Sequence, residues 1–165
     1  MSEAEDWGDN FYTCMVCEKH FRNPLYEIAR AYERTIFFDG DRIPLVETIE
    51  SEGIGTYCTA ECLNQDRDKL LTKEDIRATF PGIGPIEVCS RCGKPVDMVQ
   101  FHLSWTEEEL NCQWGPFIDV LQPINVQSLA VVCHQCAPLS AAAIQEEKSS
   151  SNLVDVVAKQ ISFLV

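Results

Sequence analysis

Cysteines are the residues of this sequence best suited to chemistry, and most of them occur as close pairs. Nine cysteines are present in 165 residues, and eight of them form pairs with two or three residues between the partners. The pairs are Cys14/Cys17, Cys58/Cys62, Cys89/Cys92 and Cys133/Cys136. Zinc binds thiolates in a tetrahedral shell of four ligands, and the backbone within such a pair can turn so that both sulfurs reach one ion. The spacing therefore predicts two structural zinc ions (Zn2+), each held by two pairs.

The pairs can be assigned to ions because their separations repeat. From Cys17 to Cys58 is 41 positions, and from Cys92 to Cys133 is again 41. The first three cysteines all recur 75 positions later, which predicts an internal duplication. Since solenoid repeats are shorter, we expect two related modules and not an array. The first ion is assigned to Cys14, Cys17, Cys58 and Cys62, and the second to Cys89, Cys92, Cys133 and Cys136.

A redox-active Cys-x-x-Cys motif is the main alternative use of these pairs. Such a motif needs only one pair per site, so the duplicated distant partners would have no role. The acidic N-terminus is unlike a signal peptide, and no run approaches the roughly 18 apolar residues of a membrane span. We therefore expect a cytoplasmic protein without membrane contact, in which clustered cysteines bind metal instead of forming disulfides.

The residues around Cys58 and Cys62 resemble the second half of a treble-clef zinc finger. The sequence there reads Tyr-Cys-Thr-Ala-Glu-Cys, in which Thr59 suits a helix N-cap and Glu61 lies near the positive end of the helix dipole. In treble clefs, a first zinc knuckle is followed by a β-hairpin, and the last two ligands lie at the N-terminus of a helix. The resemblance implies the same order here, with the knuckle at Cys14–Cys17.

The second half of the chain resembles the same class less closely. Cys133–Cys136 also suits a zinc-ribbon knuckle, and Pro138 restricts how a helix could begin directly after it. The resemblance therefore implies an α+β fold of two tandem small zinc-binding modules, treble-clef or zinc-ribbon like. Each module would contain a knuckle, a β-hairpin and a short helix.

The elements that position the cysteines can be read from the remaining pattern. Apolar residues at even positions from Tyr26 to Phe38 indicate a strand, and the apolar run Val126–Val132 indicates a buried strand that leads into the last pair. A helix is predicted from Thr59 to Leu71, and Thr72–Asp75 predicts the start of another. A break rich in proline and glycine at Phe80–Pro85 separates the modules. The expected organisation is an acidic tail at 1–9, zinc module one at 10–80, zinc module two at 86–145, and a serine-rich joint with a C-terminal amphipathic helix at 149–165.

Charge limits the choice of partner. The chain has 26 Asp+Glu against 13 Lys+Arg, a formal net charge of -13, and no Lys or Arg from Pro95 to Glu147. Affinity for nucleic acid comes largely from basic side chains that neutralise phosphates, so nucleic acid is not an expected partner. One basic cluster with aromatic neighbours could contact it, formed by Arg22, Arg30, Arg34 and Arg42. We expect this cluster instead to be a solvated strand face paired with Glu27 and Glu33.

The remaining reactive side chains give weaker signals. Cys112, the unpaired cysteine, is expected to be a small buried residue. His20 and His134 lie near the pairs, but eight cysteines already fill two metal shells, and His102 has no partner at a spacing that specifies contact. Sequence motifs of metalloproteases, serine hydrolases and P-loop nucleotide-binding proteins are absent. We therefore expect no catalytic residue and no enzymatic activity.

These expectations combine into a predicted function. The sequence indicates a non-enzymatic, zinc-stabilised interaction module whose acidic surface binds a protein partner with a basic surface, such as a nucleic-acid enzyme. Inhibitors, immunity proteins and antitoxins belong to this class. The alternative is a zinc-finger transcription factor or RNA-linked regulatory factor, which would use the local basic cluster or bind another protein.

Overall fold

The structure is a computed structural model that describes residues 11–115 and 120–137, and the statements below concern those residues. Strands dominate them, and one helix is present. In chain order the elements are β1 (Tyr12–Thr13), β2 (His20–Phe21), β3 (Leu25–Ile36), β4 (Leu45–Tyr57), α1 (Ala60–Lys73), β5 (Ile86–Val88), β6 (Pro95–Asp97), β7 (His102–Gln113) and β8 (Val120–Val132). This strand-rich arrangement with one helix agrees with the expected α+β class.

The four long strands form a single antiparallel sheet in the order β4-β3-β7-β8. β3 and β4 come from the first expected module, and β7 and β8 come from the second. β3 pairs with β7 over nine positions, from Leu25↔Leu110 to Glu33↔His102. A continuous backbone ladder therefore joins the two halves of the chain, and the halves share one sheet. The short strands form two separate hairpins, β1 with β2 and β5 with β6.

The two halves repeat the same strand irregularities. β8 begins 75 positions after β4, and β7 begins 77 positions after β3. The register of β3 with β4 shifts after Ile28 and again after Tyr32. The register of β7 with β8 shifts after Trp105 and Glu109, which are the positions 77 residues later. Because such bulges bend a strand and increase its twist, the two long hairpins have their bends at equivalent positions.

Helix α1 begins where the sequence predicts it. The Thr59 hydroxyl accepts a hydrogen bond from the backbone N–H of Cys62 at 3.2 Å, which satisfies a free donor of the first turn. The prediction that Thr72–Asp75 starts another helix is wrong, because these residues complete α1. Asp75 has a φ of 56°, and the N–H of Ile76 bonds to the carbonyl of Leu71 at 3.0 Å. These are the features of a Schellman ending, in which a left-handed residue closes the helix.

Helix α1 covers one face of the sheet. Leu63 and Leu70 of α1 belong to the same buried cluster as Ile28 of β3 and Trp105 of β7, and the last two are fully buried. Each large apolar side chain buried in this way contributes about 1.5–3 kcal/mol. Since side chains of a strand alternate between faces, even-numbered residues of β3 and odd-numbered residues of β7 point towards α1. We call this side the helix face.

The opposite side, which we call the open face, carries the odd-numbered residues of β3 and the even-numbered residues of β7. Small and acidic side chains occupy its centre, namely Glu27, Ala29, Ala31, Glu33, Ser104, Thr106 and Glu108. Larger side chains lie towards its ends, where Leu25, Leu110 and Cys112 are buried. The expectation that Cys112 is a buried residue is therefore confirmed.

Several expected segments lie outside the described residues. These are the acidic tail at 1–9, the helix expected to close the second module, and the serine-rich joint with its amphipathic helix at 149–165. No helix in the described part of the chain combines the length and the apolar character that crossing a bilayer requires.

Candidate metal centres

The first cysteine group is assembled by a knuckle that is bonded to the end of β4. The N–H of Cys14 donates to the carbonyl of Lys19 at 3.0 Å, and the N–H of Glu18 donates to the carbonyl of Cys14 at 3.0 Å. Glu18 has a φ of 60°, so the chain turns sharply between β1 and β2. The N–H of Met15 then donates to the carbonyl of Thr56 at 2.9 Å. This bond brings the knuckle to Cys58, which directly follows β4, and to Cys62 in the first turn of α1.

The second group is built by the same bonds 75 positions later. The N–H of Cys89 donates to Lys94 at 2.9 Å, and the N–H of Gly93 donates to Cys89 at 2.9 Å. Gly93 has a φ of 71°, the conformation that Glu18 adopts in the first knuckle. The N–H of Ser90 donates to the carbonyl of Val131 at 2.8 Å, so this knuckle is held against the end of β8. The backbone therefore presents the knuckle cysteines of both halves in the same way, whereas the fourth ligands differ, because Cys62 lies in α1 and Cys136 lies in a turn.

The sulfur positions suit a four-ligand metal ion. In each expected set the four sulfurs lie within 4.8 Å of one another. The Cys17 and Cys58 sulfurs are 3.5 Å apart, and the Cys92 and Cys133 sulfurs are 3.8 Å apart. A regular tetrahedron with the 2.3 Å bonds of zinc to thiolate has edges of about 3.8 Å. Both predicted sets are brought together by the structure, and each could hold one metal ion.

One sulfur in each group is prepared as an anion. Burial raises the pKa of Cys14 and of Cys89, but backbone N–H groups that donate to each sulfur outweigh it and lower both values to about 6. The donors are the N–H groups of Cys17, Cys58 and Val16 for Cys14, and of Cys92, Cys133 and Arg91 for Cys89. Burial raises the pKa of Cys58 to about 12, and hydrogen bonds with neighbouring thiols raise that of Cys136 to about 12. At neutral pH, thiols with these raised pKa values are protonated, and a divalent cation that binds the sulfurs would displace the thiol protons.

The two groups lie at opposite ends of the shared sheet. Tyr57, the last residue of β4, pairs with Tyr26 near the start of β3. Val132, the last residue of β8, pairs with Leu103 near the start of β7. Because β3 and β7 are antiparallel, their starts are at opposite ends. Each metal ion would therefore fix a different end of the sheet.

The histidines lie outside both groups of cysteines. His20 is exposed and stacks on Phe11 with ring centroids 4.1 Å apart, and His134 is exposed beside Cys133. His102 is buried, and its Nδ1 lies 2.9 Å from the carbonyl oxygen of Gln100. None of the three is brought to a cysteine group as an additional ligand.

Two arginines of the expected basic cluster, Arg30 and Arg34, have carboxylate partners other than the predicted ones. Arg30 pairs with Glu52 and Glu74, and Arg34 pairs with Glu47. The expected partners Glu27 and Glu33 are wrong because they lie on odd positions of β3, and odd and even side chains point to opposite faces. Both glutamates therefore belong to the open face.

Sequence reasoning missed Arg91, which connects the two halves beside the second group. Its guanidinium donates to the carbonyl of Cys136 at 2.7 Å and to the carbonyl of Glu74 at 2.8 Å. It also lies 5.8 Å from the centre of the Trp105 ring. The end of α1 and the last knuckle are thus joined by one side chain. No sequence signal identifies this role, since the partners are backbone carbonyls distant in the chain.

Comparison with protein-family models gives no match, and comparisons with curated proteins and with solved structures give none that is significant. The residues themselves must therefore indicate the function. Two sets of four cysteines could hold metal ions, one at each end of a shared sheet. The open face combines small side chains with carboxylates.

Proposed function

We propose that this protein is a non-enzymatic interaction module, stabilised by two structural zinc ions, that binds a basic protein partner in the cytoplasm. An inhibitor or an immunity or antitoxin-type protein that blocks a nucleic-acid enzyme is the role that fits best. The proposal has two parts, the identity of the metal and the nature of the partner, and each rests on separate observations.

The donor set supports zinc. Four thiolates in a tetrahedral arrangement are typical of structural zinc sites, whereas catalytic sites keep one position open for water or substrate. With all four cysteines bound, neither group has a free position on the ion. Zinc binding contributes directly to the free energy of folding in small metal-binding proteins, and here the two ions would add to the stability of the shared core.

The order of elements in the first half supports a treble-clef module. A knuckle at Cys14–Cys17 precedes the β3–β4 hairpin, and Cys58 and Cys62 lie at the start of α1. The cap formed by Thr59 fixes the first turn of that helix, so the two last ligands are held in a defined geometry. The second half has the equivalent knuckle and hairpin, and we extend the same class to it.

The observation that carries the proposed partner is the pairing of Glu27 with Glu108 across β3 and β7. The two side chains lie directly opposite each other on the open face. Burial, and secondarily the charge of Glu108, raises the pKa of Glu27 to about 7. Like charges in this position destabilise a sheet. None of the salt bridges among the described residues involves either glutamate, so a cation from a partner would relieve the repulsion.

The basic side chains support the same choice of partner. Arg30, Arg34, Arg67 and Arg91 all form ion pairs within the protein. Their charges are thus already neutralised in part, and contacts with phosphates would require breaking these pairs. Complementary charge on a basic protein would instead accelerate association and favour that partner over others.

The test combines metal analysis with binding by the full-length protein. We expect two zinc ions per chain by inductively coupled plasma mass spectrometry. Affinity purification from nuclease-treated native extract should identify a basic protein. Reconstitution with that purified protein should show calorimetric binding that weakens as the salt concentration rises. Retention of DNA or RNA at physiological salt, with no basic protein bound, would contradict the proposal.

A further inference from the structure

A groove runs along the open face of the sheet. Its volume is about 680 Å³, and its floor includes the small residues Ala29, Ala31 and Thr106. Small side chains on a floor leave room for the backbone or side chains of a ligand. The groove lies on the face opposite α1 and is distinct from both cysteine groups.

The edge of the groove is apolar and exposed. Ile43 is 88% exposed and Ile83 is 78% exposed, and Phe80, Val46 and Val126 are each at least half exposed. The two isoleucines belong to different connections, one between β3 and β4 and the other between α1 and β5. Val46 and Val126 lie on the two outer strands, so exposed apolar side chains border the groove on both sides. Exposed apolar surface around a groove is typical of interaction sites in soluble proteins.

Two carboxylates lie along the groove, one towards each end. Glu33 and Glu108 both line it, and neither takes part in a salt bridge among the described residues. Thr106 donates a hydrogen bond to the Glu108 carboxylate at 2.8 Å and so orients it. Glu108 lies opposite Glu27, which is six positions from Glu33 along β3. At about 3.3 Å per residue, Glu33 and Glu108 are therefore separated by roughly 20 Å along the strand direction.

The separation of the two carboxylates favours an extended occupant. In an extended chain, residues six positions apart lie on the same side and are roughly 20 Å apart, which matches the separation of Glu33 and Glu108 along the sheet. A helix rises about 1.5 Å per residue and would need about 13 residues to cover the same distance. A short extended segment can therefore place two basic side chains at the two carboxylates.

We propose that the groove binds an extended segment of the basic protein partner, with two Lys or Arg side chains about six residues apart that reach Glu33 and Glu108. Apolar side chains between them pack over Ala29 and Ala31. The aliphatic stems of the basic residues lie against the apolar edge while their charged ends meet the carboxylates. This inference rests on the proposed function, since it assigns the basic partner to one surface.

The test uses a labelled peptide and the full-length, zinc-loaded protein. The peptide is fluorescein-Arg-Ser-Val-Ser-Val-Ser-Arg, in which the arginines and valines share one side of an extended chain. By fluorescence anisotropy in 50 mM salt, we expect saturable binding to the native protein. Glu33→Gln and Glu108→Gln should each weaken binding about five- to tenfold. Circular dichroism and zinc content verify that each variant is folded.

A second pair of variants separates the groove from general attraction between charges. Ile83→Asp adds a negative charge at the edge, so simple attraction would strengthen binding of the basic peptide. If the peptide occupies the groove, we expect the opposite result: its affinity should fall at least fivefold, because the substitution removes the apolar contact between Ile83 and the peptide. Ile86→Asp is the matched control, since Ile86 is 56% exposed and lies outside the groove. It should leave the affinity unchanged or slightly higher.

Several outcomes would overturn the inference. These are stronger binding to Ile83→Asp, equal binding of a peptide whose two arginines are adjacent, or binding of a peptide with glutamate in place of arginine. A dimer by light scattering that Ile83→Asp converts to a monomer would assign the groove to a second copy of the chain. If the identified basic partner binds these variants as tightly as the native protein, the groove inference fails and the proposed function stands. If neither partner nor peptide binds the native protein, the proposed function itself fails.

Discussion

Ala29 and Thr106 are direct partners in the β3–β7 ladder, and they also occupy the same position in the two halves of the chain. Ala29 follows the first register shift of the β3–β4 hairpin, and Thr106 follows the first register shift of the β7–β8 hairpin. The two residues are 77 positions apart, which is also the separation between the first residues of β3 and β7. Equivalent residues face each other directly only at a symmetry axis. An approximate twofold axis therefore passes between Ala29 and Thr106, and it relates the two cysteine groups at the ends of the sheet.

Substituting one buried cysteine of a group should remove one metal ion and leave the other. Cys14→Ser and Cys89→Ser each take away the sulfur that backbone donors stabilise as a thiolate. We expect the zinc content to fall from two ions to one and the melting temperature to drop markedly, because a structural ion contributes to folding. Mass spectrometry and thermal melts followed by circular dichroism measure both quantities.

Cys112→Ala is the matched control, because Cys112 is also buried but belongs to neither group. It should retain two zinc ions and lose only the stability expected of a small cavity. A strong chelator should destabilise the native protein more than any single cysteine variant. An unchanged melting curve after verified removal of the metal would refute the structural role of the ions.

Neutralising Glu27 should stabilise the protein at alkaline pH. The folded-state pKa of about 7 lies above the ordinary value of 4.5, so protonated Glu27 favours the folded state. That contribution is complete below about pH 4.5 and is lost as pH rises through 7. Since Glu27 is partly exposed, we expect Glu27→Gln to raise the free energy of unfolding by about 1–2 kcal/mol at pH 8.5. The gain should shrink towards pH 6.

Urea unfolding of the zinc-loaded protein at pH 6, 7 and 8.5 measures this difference. Asp41→Asn, which removes an exposed carboxylate from the connection between β3 and β4, is the control and should show no comparable trend. A stabilisation by Glu27→Gln that is equal at all three pH values would show that ionisation of Glu27 is not the cause.

Removing the side-chain amide of Asn23 should destabilise the junction of β2 and β3. Its Nδ2 donates to the carbonyl of Cys112 at 2.6 Å, and its Oδ1 accepts from the N–H of Cys112 at 2.6 Å. These two bonds continue the β3–β7 ladder just beyond Leu25↔Leu110. We expect Asn23→Ala to lower the free energy of unfolding by about 1–3 kcal/mol, since it leaves both Cys112 backbone groups without this partner.

Asn23→Asp tests the same bonds more finely, because a carboxylate can accept from the Cys112 N–H but cannot donate to its carbonyl. The second carboxylate oxygen would face the Cys112 carbonyl oxygen and repel it, so at neutral pH the loss of stability should be at least as large as that of Asn23→Ala. Gln113→Ala, an exposed substitution next to the same strand end, should change stability by less than about 0.5 kcal/mol. Equal effects of Asn23→Ala and Gln113→Ala in chemical unfolding would argue against the ladder role.

Replacing Arg91 by lysine should cost stability even though the charge is kept. The planar guanidinium donates to carbonyls of both Glu74 and Cys136, which a single ammonium group cannot match in geometry. We expect Arg91→Lys to lower the free energy of unfolding by about 1–3 kcal/mol. Arg77→Lys is the control, because Arg77 is exposed and its recorded hydrogen bonds with Ser90 use only its backbone. Comparable losses in both variants would contradict the proposed connection.

The cysteine groups could be predicted from the sequence because metal ligands have a fixed local spacing and the spacing occurs twice. The start of α1 could be predicted for a similar reason, since Thr59 acts within three residues of its own position. The second helix start expected at Thr72–Asp75 failed because the same residue types also suit a helix end. There, Asp75 adopts the left-handed conformation and Ile76 packs into the core.

Contacts between strands and helix that are distant in the sequence could not be predicted, because they depend on register. Nothing local to β3 specifies that Arg30 meets Glu52 and Glu74 and not its sequence neighbours. The pairing of Glu27 with Glu108 follows only once β3 and β7 are known to be adjacent and antiparallel. The open face and its groove are consequences of this long-range pairing, so composition and motifs gave no sign of them.

The approximate axis through Ala29 and Thr106 has a consequence for stoichiometry. Positions that the axis relates are not occupied by the same residues: Glu27 corresponds to Ser104, and Glu108 corresponds to Ala31. In a symmetric dimer of identical chains, the same residue would stand at both positions that the axis relates, so a binding site on the axis would accept a ligand in either of two directions. In this protein the two halves belong to one chain, so the residues at related positions can differ. We therefore expect one partner molecule per chain, bound with a single polarity.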